Sequence, residues 1–350
     1  MVLTFAAAGP RVSGAQKHIR YPAGWIQEKS VLDRDLWVIW FDGRSTVEVK
    51  IKGSVGFSAN ELNIEALSPD GRLLITQQKG NASTTFEAQP GEGGKLIRRF
   101  VTQGSVAKSG ARETTFLASL LPTVLRNTGL NAAKRVQRIF HRAGAPGVLR
   151  EITLVRSDRV KHIYYRHLIQ EQRLSVPVLR QAMRRAGNQI SSDEIMAALL
   201  IDTADAYVDH ENSATAAYFK NLDGISSDEP HESVLLALLQ RKGVRRSTVL
   251  HVIRSTRNIS SDGAKVNVML KSLSTPNTDT TVVSALLDEL KELSADEEKA
   301  RLLLAVLDQG ALNQTILRRI QLLANEEITS DASQQAVLQK CEQRKASRPE

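Results

Sequence analysis

The sequence predicts an α+β protein in which a small N-terminal antiparallel β domain precedes an all-α, HEAT-like solenoid of two-helix repeats. Two observations lead to this prediction. Short strand-like segments separated by turns occur before residue 112, and one tetrapeptide recurs every 34 or 35 residues further along the chain. We expect a flexible N-terminus or signal remnant at residues 1–30, the β domain at 31–112, a degenerate helical pair at 113–157 and the repeats with a terminal cap at 158–350.

Five segments of the N-terminal part have the composition of β-strands. Turn sequences such as Ser68-Pro69-Asp70-Gly71 and Lys79-Gly80-Asn81 separate them, which is typical of a small antiparallel sheet or meander. The five candidates are Leu36–Trp40, Thr46–Lys52, Leu73–Gln78, Thr84–Ala88 and Leu96–Thr102. The apolar spacing becomes helical between Glu113 and Asn127, where the degenerate helical pair is expected to begin.

A recurring anchor of four residues marks the helical part. It reads Ile-Ser-Ser-Asp or a close variant, at Val155–Asp158, Ile190–Asp193, Ile225–Asp228, Ile259–Asp262, Leu293–Asp296 and Ile328–Asp331. Successive anchor Asp residues are 35, 35, 34, 34 and 35 positions apart. Such regular spacing indicates stacked repeats. The period matches tetratricopeptide repeats, but their Trp, Gly-Tyr and Pro pattern is missing, so a HEAT-like solenoid is the better prediction.

Each anchor has the composition of a helix N-terminus. Ser191 with Glu194 forms a capping-box pattern, in which the Ser oxygen and the Glu carboxylate each accept from a free backbone N–H. The same pattern recurs in the repeats that follow, as Ser226 with Glu229 and Ser294 with Glu297. The anchor Asp is expected to interact with the positive end of the helix dipole. The predicted structural residues of the anchors are Ser157, Asp158, Ser191, Asp193, Ser226, Asp228, Ser260, Asp262, Ser294, Asp296, Thr329 and Asp331.

Two apolar stripes after each anchor predict a helical hairpin. The clearest repeat has a first stripe at Ala300, Leu303, Leu304 and Leu307, and a second at Leu312, Ile316, Ile320 and Leu323. Gly310 lies between them and is expected to end the first helix. One hairpin cannot bury both stripes, so neighbouring hairpins must stack. The last unit, from Asp331, has room for one helix and is predicted to be the cap.

The net charge of +9 is unevenly distributed. Residues 1–185 contain 29 Lys/Arg and 14 Asp/Glu, whereas residues 186–350 contain 18 and 24. The densest basic stretch covers residues 126–185, and its candidate binding residues are Arg126, Lys134, Arg135, Arg138, Arg142, Arg150, Arg159, Lys161 and Arg166. If these side chains share a face, they form a groove that attracts phosphates, as in a nucleic-acid-binding repeat protein. The alternative is a solvated surface whose charges pair locally.

Other kinds of site find little support. None of the seven His residues has the spacing of a zinc-binding helix, and no phosphate-binding or nucleophile motif occurs. Asp209-His210-Glu211 is assigned to a polar turn, and Cys341 to a bystander on the terminal helix. A single cysteine excludes an intrachain disulfide. We therefore predict a non-catalytic chain with no cofactor and no metal site.

Several phrases of the sequence resemble a bacterial family. They are Ile64–Leu73, Arg98–Val101, Val148–Ile152 and the Ile-Ser-Ser-Asp anchors. Together, over roughly residues 45–340, they are similar to the soluble region appended to membrane metallopeptidases of the beta-lactam-sensor antirepressor family, and to standalone bacterial proteins. The zinc-binding His-Glu-x-x-His helix of that family does not occur here. The resemblance implies a bacterial accessory or sensor region without peptidase activity, located outside the cytoplasm.

The sequence gives weaker information on localisation and partners. No apolar run approaches the ~18 residues of a membrane-spanning helix. Val2–Ala8 is compatible with a truncated signal peptide or with a disordered tail. A protein partner is the principal expectation, because a solenoid offers a long preformed surface. Nucleic-acid binding through residues 126–185 is the alternative, and the uneven charge also permits self-association.

Overall fold

The computed structural model describes residues 26–30, 35–107, 110–208, 212–276, 278–309 and 312–346. Val2–Ala8, Asp209-His210-Glu211 and Gly310, which carry sequence predictions, lie outside these residues. The chain divides into two compact units, at residues 1–124 and 125–350. The first contains the strands and the second contains nearly all the helices, so the protein belongs to the α+β class.

The first unit contains an antiparallel seven-stranded sheet and a separate two-stranded one. The strands are β1 (Ile26–Ser30), β2 (Asp35–Phe41), β3 (Thr46–Lys52), β4 (Val55–Phe57), β5 (Ile64–Leu67), β6 (Arg72–Lys79), β7 (Ala82–Pro90), β8 (Leu96–Thr102) and β9 (Ser105–Ala107). The large sheet has the order β1-β2-β3-β6-β7-β8-β9, and β4 pairs with β5. All five predicted strands are present. The four short strands β1, β4, β5 and β9 were not predicted.

Buried and more exposed side chains alternate along the central strands of the large sheet, so one face of this sheet is buried. Val47, Val49 and Ile51 of β3 are buried, and Val49 is paired with Ile75 of β6. Helix α1 (Ala111–Thr128) begins within the same unit, and its Glu113 carboxylate lies 3.2 Å from the Arg98 guanidinium of β8. Arg98 also donates to the Ile64 carbonyl of β5. This partly buried charge pair therefore links the small sheet, the large sheet and the helix.

The second unit is built from helical hairpins. Its helices are α2 (Ala132–Ile152), α3 (Asp158–Glu171), α4 (Val176–Gln189), α5 (Asp193–Tyr207), α6 (Ser213–Leu222), α7 (Asp228–Gln240), α8 (Arg246–Ser255), α9 (Asp262–Leu273), α10 (Thr280–Glu289), α11 (Asp296–Leu307), α12 (Gln314–Glu327) and α13 (Asp331–Ala346). Each anchor Asp is the first residue of the helix that opens a pair, and α13 is the single terminal helix.

The hairpins stack in two layers of helices. In the first layer each of α3, α5, α7, α9, α11 and α13 packs on the next. The second layer comprises α4, α6, α8, α10 and α12. In this layer α4 packs closely on α6, and α8 on α10, whereas α6 and α8 are less closely packed. The predicted stripes face the core between the layers, as Leu303 of α11 and Ile320 of α12 show, because both are fully buried.

Each anchor Asp except the last binds the anchor of the following repeat, a contact that the sequence pattern does not predict. Asp158 Oδ2 accepts from the backbone N–H of Ser191 at 2.7 Å and of Ser192 at 3.1 Å, and from the Ser191 hydroxyl at 2.8 Å. We call this contact between an anchor Asp and the next anchor a clasp. Clasps also form at Asp193, Asp228, Asp262 and Asp296, whose carboxylates accept from the backbone N–H groups of Ser226, Ser260, Ser294 and Thr329, respectively. Asp331 begins the last helix and no anchor follows it.

The predicted capping boxes are therefore wrong by one residue. The N-cap of α5 is Ser192, whose hydroxyl oxygen accepts from the Ile195 N–H at 3.3 Å, whereas Ser191 is held by Asp158. Likewise the N-cap residues of α7, α9 and α11 are Ser227, Ser261 and Ala295, not Ser226, Ser260 or Ser294. The predicted cap at Ser157 is present, since its hydroxyl oxygen accepts from the Val160 N–H. The N-cap lies one residue later than predicted because the first Ser of the anchor already binds the Asp of the preceding anchor.

Candidate binding surface

Two of the nine predicted binding residues form a buried ion-pair cluster. Arg126 Nε donates to Glu151 at 2.7 Å, and Arg135 Nη2 donates to the same carboxylate at 2.8 Å. The Arg135 and Glu151 side chains are only 8% and 11% exposed. Burial acts to raise the pKa of Glu151, but the two arginines bring it below its usual value. Arg126 and Arg135 thus stabilise the junction of α1 and α2 rather than a surface.

Three more of the nine side chains are occupied within the helical unit. Arg159 donates to the Thr128 carbonyl at 3.0 Å. Lys161 lies 2.8 Å from Asp158 and donates to the carbonyl of Gln189 at the end of α4. Arg166 lies 3.7 Å from the Asp202 carboxylate.

Lys161 has counterparts in two later repeats. Lys265 and Lys299 also stand three residues after an anchor Asp, and they donate to the carbonyls of Glu292 and Glu327 at 2.8 and 2.7 Å. These carbonyls lie at or just beyond the C-terminal end of the second helix of the same repeat, where a cation is favourable. Lys161 is therefore part of a recurring helix-end contact.

The remaining four predicted residues lie on α2. Lys134, Arg142 and Arg150 are exposed, and Arg138 is partly exposed and has an interaction partner. The nine residues accordingly do not form one exposed face. The density of basic residues along the sequence does not predict a shared surface, because it does not show which helix face each side chain occupies.

The structure separates charge by layer in the middle repeats. Helices α4, α6 and α8 of the second layer contain basic residues and no acidic ones, namely Arg180, Arg184, Arg185, Lys220, Arg246 and Arg254. Helices α5 and α7 of the first layer contain acidic residues and no basic ones, namely Asp193, Glu194, Asp202, Asp205, Asp228, Glu229 and Glu232. Opposite charges thus line the two layers, in addition to the imbalance along the chain.

One position of the repeat carries a cation four times in succession. Arg150, Arg185, Lys220 and Arg254 each stand eight residues before an anchor Asp, and we refer to them as the basic row. Equal register places them at equivalent points on α2, α4, α6 and α8. Arg185 Nη1 reaches the Leu149 carbonyl at 3.4 Å, which shows that neighbouring members are close. The fifth equivalent position, on α10, is Asp288, so the row ends at Arg254 of α8.

An open cleft of about 700 Å³ lies where α6 and α8 are less closely packed. Its lining includes Asn212, Thr215, Ala216, Phe219, Lys220, Asp223, Gly224 and His251. The rings of Phe219 and His251 stack with their centroids 3.7 Å apart, and this contact bridges the two helices. Lys220 of the basic row thus lines this partly apolar cleft.

A buried polar cluster lies behind the cleft. His231 of α7 is fully buried, with Nδ1 3.1 Å from the Ile225 carbonyl and Nε2 2.9 Å from the Ser255 hydroxyl. Ser255 in turn donates to Asp223 at 2.6 Å, and His251 Nε2 lies 3.4 Å from that carboxylate. Burial lowers the pKa of His231. These contacts position residues at the α6–α8 boundary, and they contain no exposed nucleophile.

The described part of the chain was expected to lack a metal site, a membrane-spanning helix and a reactive cysteine, and its residues bear on each of these. Within those residues no group of three or more His, Cys, Asp or Glu side chains is placed to hold a metal ion. No described helix is long and apolar enough to cross a membrane. Cys341 is buried, and burial raises the pKa of its thiol.

Comparisons with known proteins were made at three levels. No protein-family model, no curated protein and no solved structure matches the chain.

Proposed function

We propose that the protein is a non-catalytic binding scaffold, an α-solenoid of HEAT-like repeats that holds a protein partner. The observation that supports this most is the clasp between repeats. Five anchor Asp residues each bind the next anchor through its backbone N–H groups, so the repeat boundary is the most regular feature of the unit. Regular boundaries combined with variable exposed faces suit a preformed binding surface.

The charge of the exposed second-layer faces varies between repeats, and this variation supports the same proposal. The basic second-layer faces of α4, α6 and α8 differ from α10, which carries Asp288 and Glu289. A surface that changes charge from repeat to repeat discriminates among partners by complementarity. The resemblance to the soluble region of bacterial sensor metallopeptidases adds a regulatory or sensor accessory role to the proposal.

Nucleic-acid binding through residues 126–185 is less well supported. Six of its nine candidate cations, Arg126, Arg135, Arg138, Arg159, Lys161 and Arg166, have partners inside the fold. A protein that follows a nucleic-acid backbone needs many free cations, because each phosphate contact contributes to affinity.

The test is capture from a bacterial extract with the purified full chain, with and without nuclease, at low and moderate salt. The captured protein is then purified and mixed with the chain alone. A one-to-one complex with fixed stoichiometry that survives nuclease supports the scaffold. Recovery of nucleic acid without any protein that reconstitutes a complex contradicts it.

A further inference from the structure

We propose that the basic row of Arg150, Arg185, Lys220 and Arg254 is the docking surface for an extended, acidic segment of a partner protein. This inference rests on the proposed scaffold function and adds the chemistry of the partner. The row occupies one register position on four successive second helices of the hairpins. Its members are exposed except Arg185, which is partly exposed.

The cations of the row are available to a ligand. Within the described part of the chain, Arg150, Lys220 and Arg254 form no ion pair or side-chain hydrogen bond, and Arg185 has only its long contact to a carbonyl. The acidic residues of α5 and α7 belong to the other layer. Asp223 lines the cleft together with Lys220, and its carboxylate accepts from the Ser255 hydroxyl and lies 3.4 Å from His251 Nε2. An anionic ligand therefore meets three free cations and one weakly engaged cation.

The spacing of the row defines the ligand further. Closely packed helices lie about 8–10 Å apart, so row positions on closely packed neighbours such as α4 and α6 are separated by about that distance. The separation is larger between Lys220 and Arg254, because the open cleft lies between α6 and α8. A polyproline II segment rises ~3.1 Å per residue and presents every third residue on one face, which gives about 9 Å between equivalent side chains. A segment with Asp or Glu at every third position therefore matches row positions on closely packed helices, and it needs at least about ten residues to span the whole row.

The two ends of the ligand should differ in charge. Beyond Arg254 the equivalent position is Asp288, which accepts from Arg319. An acidic side chain at that point would face a carboxylate, which is unfavourable. The matching segment therefore has up to four acidic positions and no acidic side chain at the fifth.

A protein segment fits these features better than single-stranded nucleic acid. Sequence-tolerant binding of bases uses exposed aromatic faces for stacking. No Phe, Tyr or Trp is among the large exposed apolar residues of the described chain, and Phe219 is only 9% exposed and stacks its ring on His251. The cleft between α6 and α8, which Lys220 lines, instead suits a small apolar side chain of a peptide.

The experiment uses fluorescein-labelled peptides and the full-length protein. The probe is a Glu-Pro-Ser repeat, and the control peptide has the same composition with its glutamates contiguous. Binding is followed by fluorescence anisotropy at low and moderate salt. We expect the spaced peptide to bind several-fold more tightly, and its affinity to fall as salt rises.

Charge reversal provides the protein control. The double variant K220E/R254E should weaken binding of the spaced peptide about tenfold, because two exposed charge pairs become repulsive. The variant K271E reverses an exposed lysine of α9, in the first layer, and should change affinity less than about twofold. Circular dichroism of all variants establishes that each is folded.

Three outcomes overturn the inference. The first is equal binding of both peptides, and the second is an equal loss of affinity in K271E and K220E/R254E. The third is that a single-stranded oligonucleotide binds this row and the peptide does not, which identifies the other class of ligand. If the row has no effect but a purified partner still forms a complex, the scaffold stands and only this surface is wrong.

Discussion

Asp193 Oδ2 accepts a hydrogen bond from the Ser226 backbone N–H at 3.0 Å, although 33 residues separate the two positions. The same oxygen accepts from the Ser226 hydroxyl and from the Ser227 N–H, both at 2.8 Å. One carboxylate therefore satisfies two backbone donors at the entrance of the next helix. Because the contact recurs at every described boundary between anchors, stability should be shared among the clasps, as in other repeat arrays.

Loss of one clasp is expected to destabilise the helical unit. Asp228 accepts from the Ser260 and Ser261 N–H groups, both at 2.8 Å, whereas its neighbour Glu229 is exposed. We expect D228A to lower the free energy of unfolding by about 1–3 kcal/mol, because two backbone donors lose a charged acceptor. E229A should stay within about 0.5 kcal/mol. Urea unfolding of the two variants measures this, and equal losses would show that the clasp has no special role.

The clasps also predict a loss of stability in acid. Hydrogen bonds from Ser260 and Ser261 hold the pKa of Asp228 below its usual value, and those from Thr329 and Ser330 do the same for Asp296. A depressed carboxyl pKa contributes stability above its unfolded value, about 3.9, and this contribution is lost as pH falls through the folded value. We expect the urea midpoint to fall steeply below about pH 4, with a smaller decrease in D228A.

Local and periodic features could be predicted from the sequence, whereas contacts between distant positions could not. The anchors gave the helix starts, and alternation gave β3 and β6, because both depend on short-range patterns. The clasp from Asp158 to Ser191 was missed, since a single chain does not reveal that an Asp prefers the next repeat to its own helix. The basic row was also missed, although the repeat register shows it once cations are aligned on the anchors.

Arg135 and Arg142 should respond differently to substitution, although both belong to the predicted basic stretch. Arg135 is buried and paired with Glu151, while Arg142 is exposed. R135A leaves the Glu151 carboxylate with one arginine fewer, and we expect a loss of about 2–4 kcal/mol in unfolding free energy. R142A should cost less than about 0.5 kcal/mol. Chemical denaturation tests this, and a neutral R135A would contradict the structural role of the cluster.

His231 should make the helical unit less stable at mildly acidic pH. Burial lowers its pKa, so protons bind the unfolded chain more tightly than the folded one. Stability is therefore fully present above about pH 6.5 and decreases as pH falls toward the lower folded value. Met196 occupies the equivalent position of α5, which makes H231M a suitable variant. The difference in unfolding free energy between pH 7.5 and 5.5 should shrink in H231M relative to the wild-type chain. An unchanged difference would assign the effect to other groups.

Gly187 tests how closely α4 and α6 pack. In an exposed helix, replacing Gly with Ala gains about 1 kcal/mol from backbone propensity. Here a Cβ at Gly187 would lie 2.2 Å from the Asn221 side-chain oxygen, and the Asn221 amide is held by the Met183 carbonyl at 2.7 Å.

G187A must displace Asn221 and break that bond, so we expect a net loss of about 1 kcal/mol instead of a gain. N221A alone should also destabilise, because the Met183 carbonyl loses its donor. Combining G187A with N221A removes the clash while keeping the helix propensity of Ala. The double variant is therefore expected to be at least as stable as N221A alone, and calorimetric unfolding of the three proteins shows whether the effects are non-additive in this direction. Strict additivity would mean that the two helices move apart to accept the methyl group.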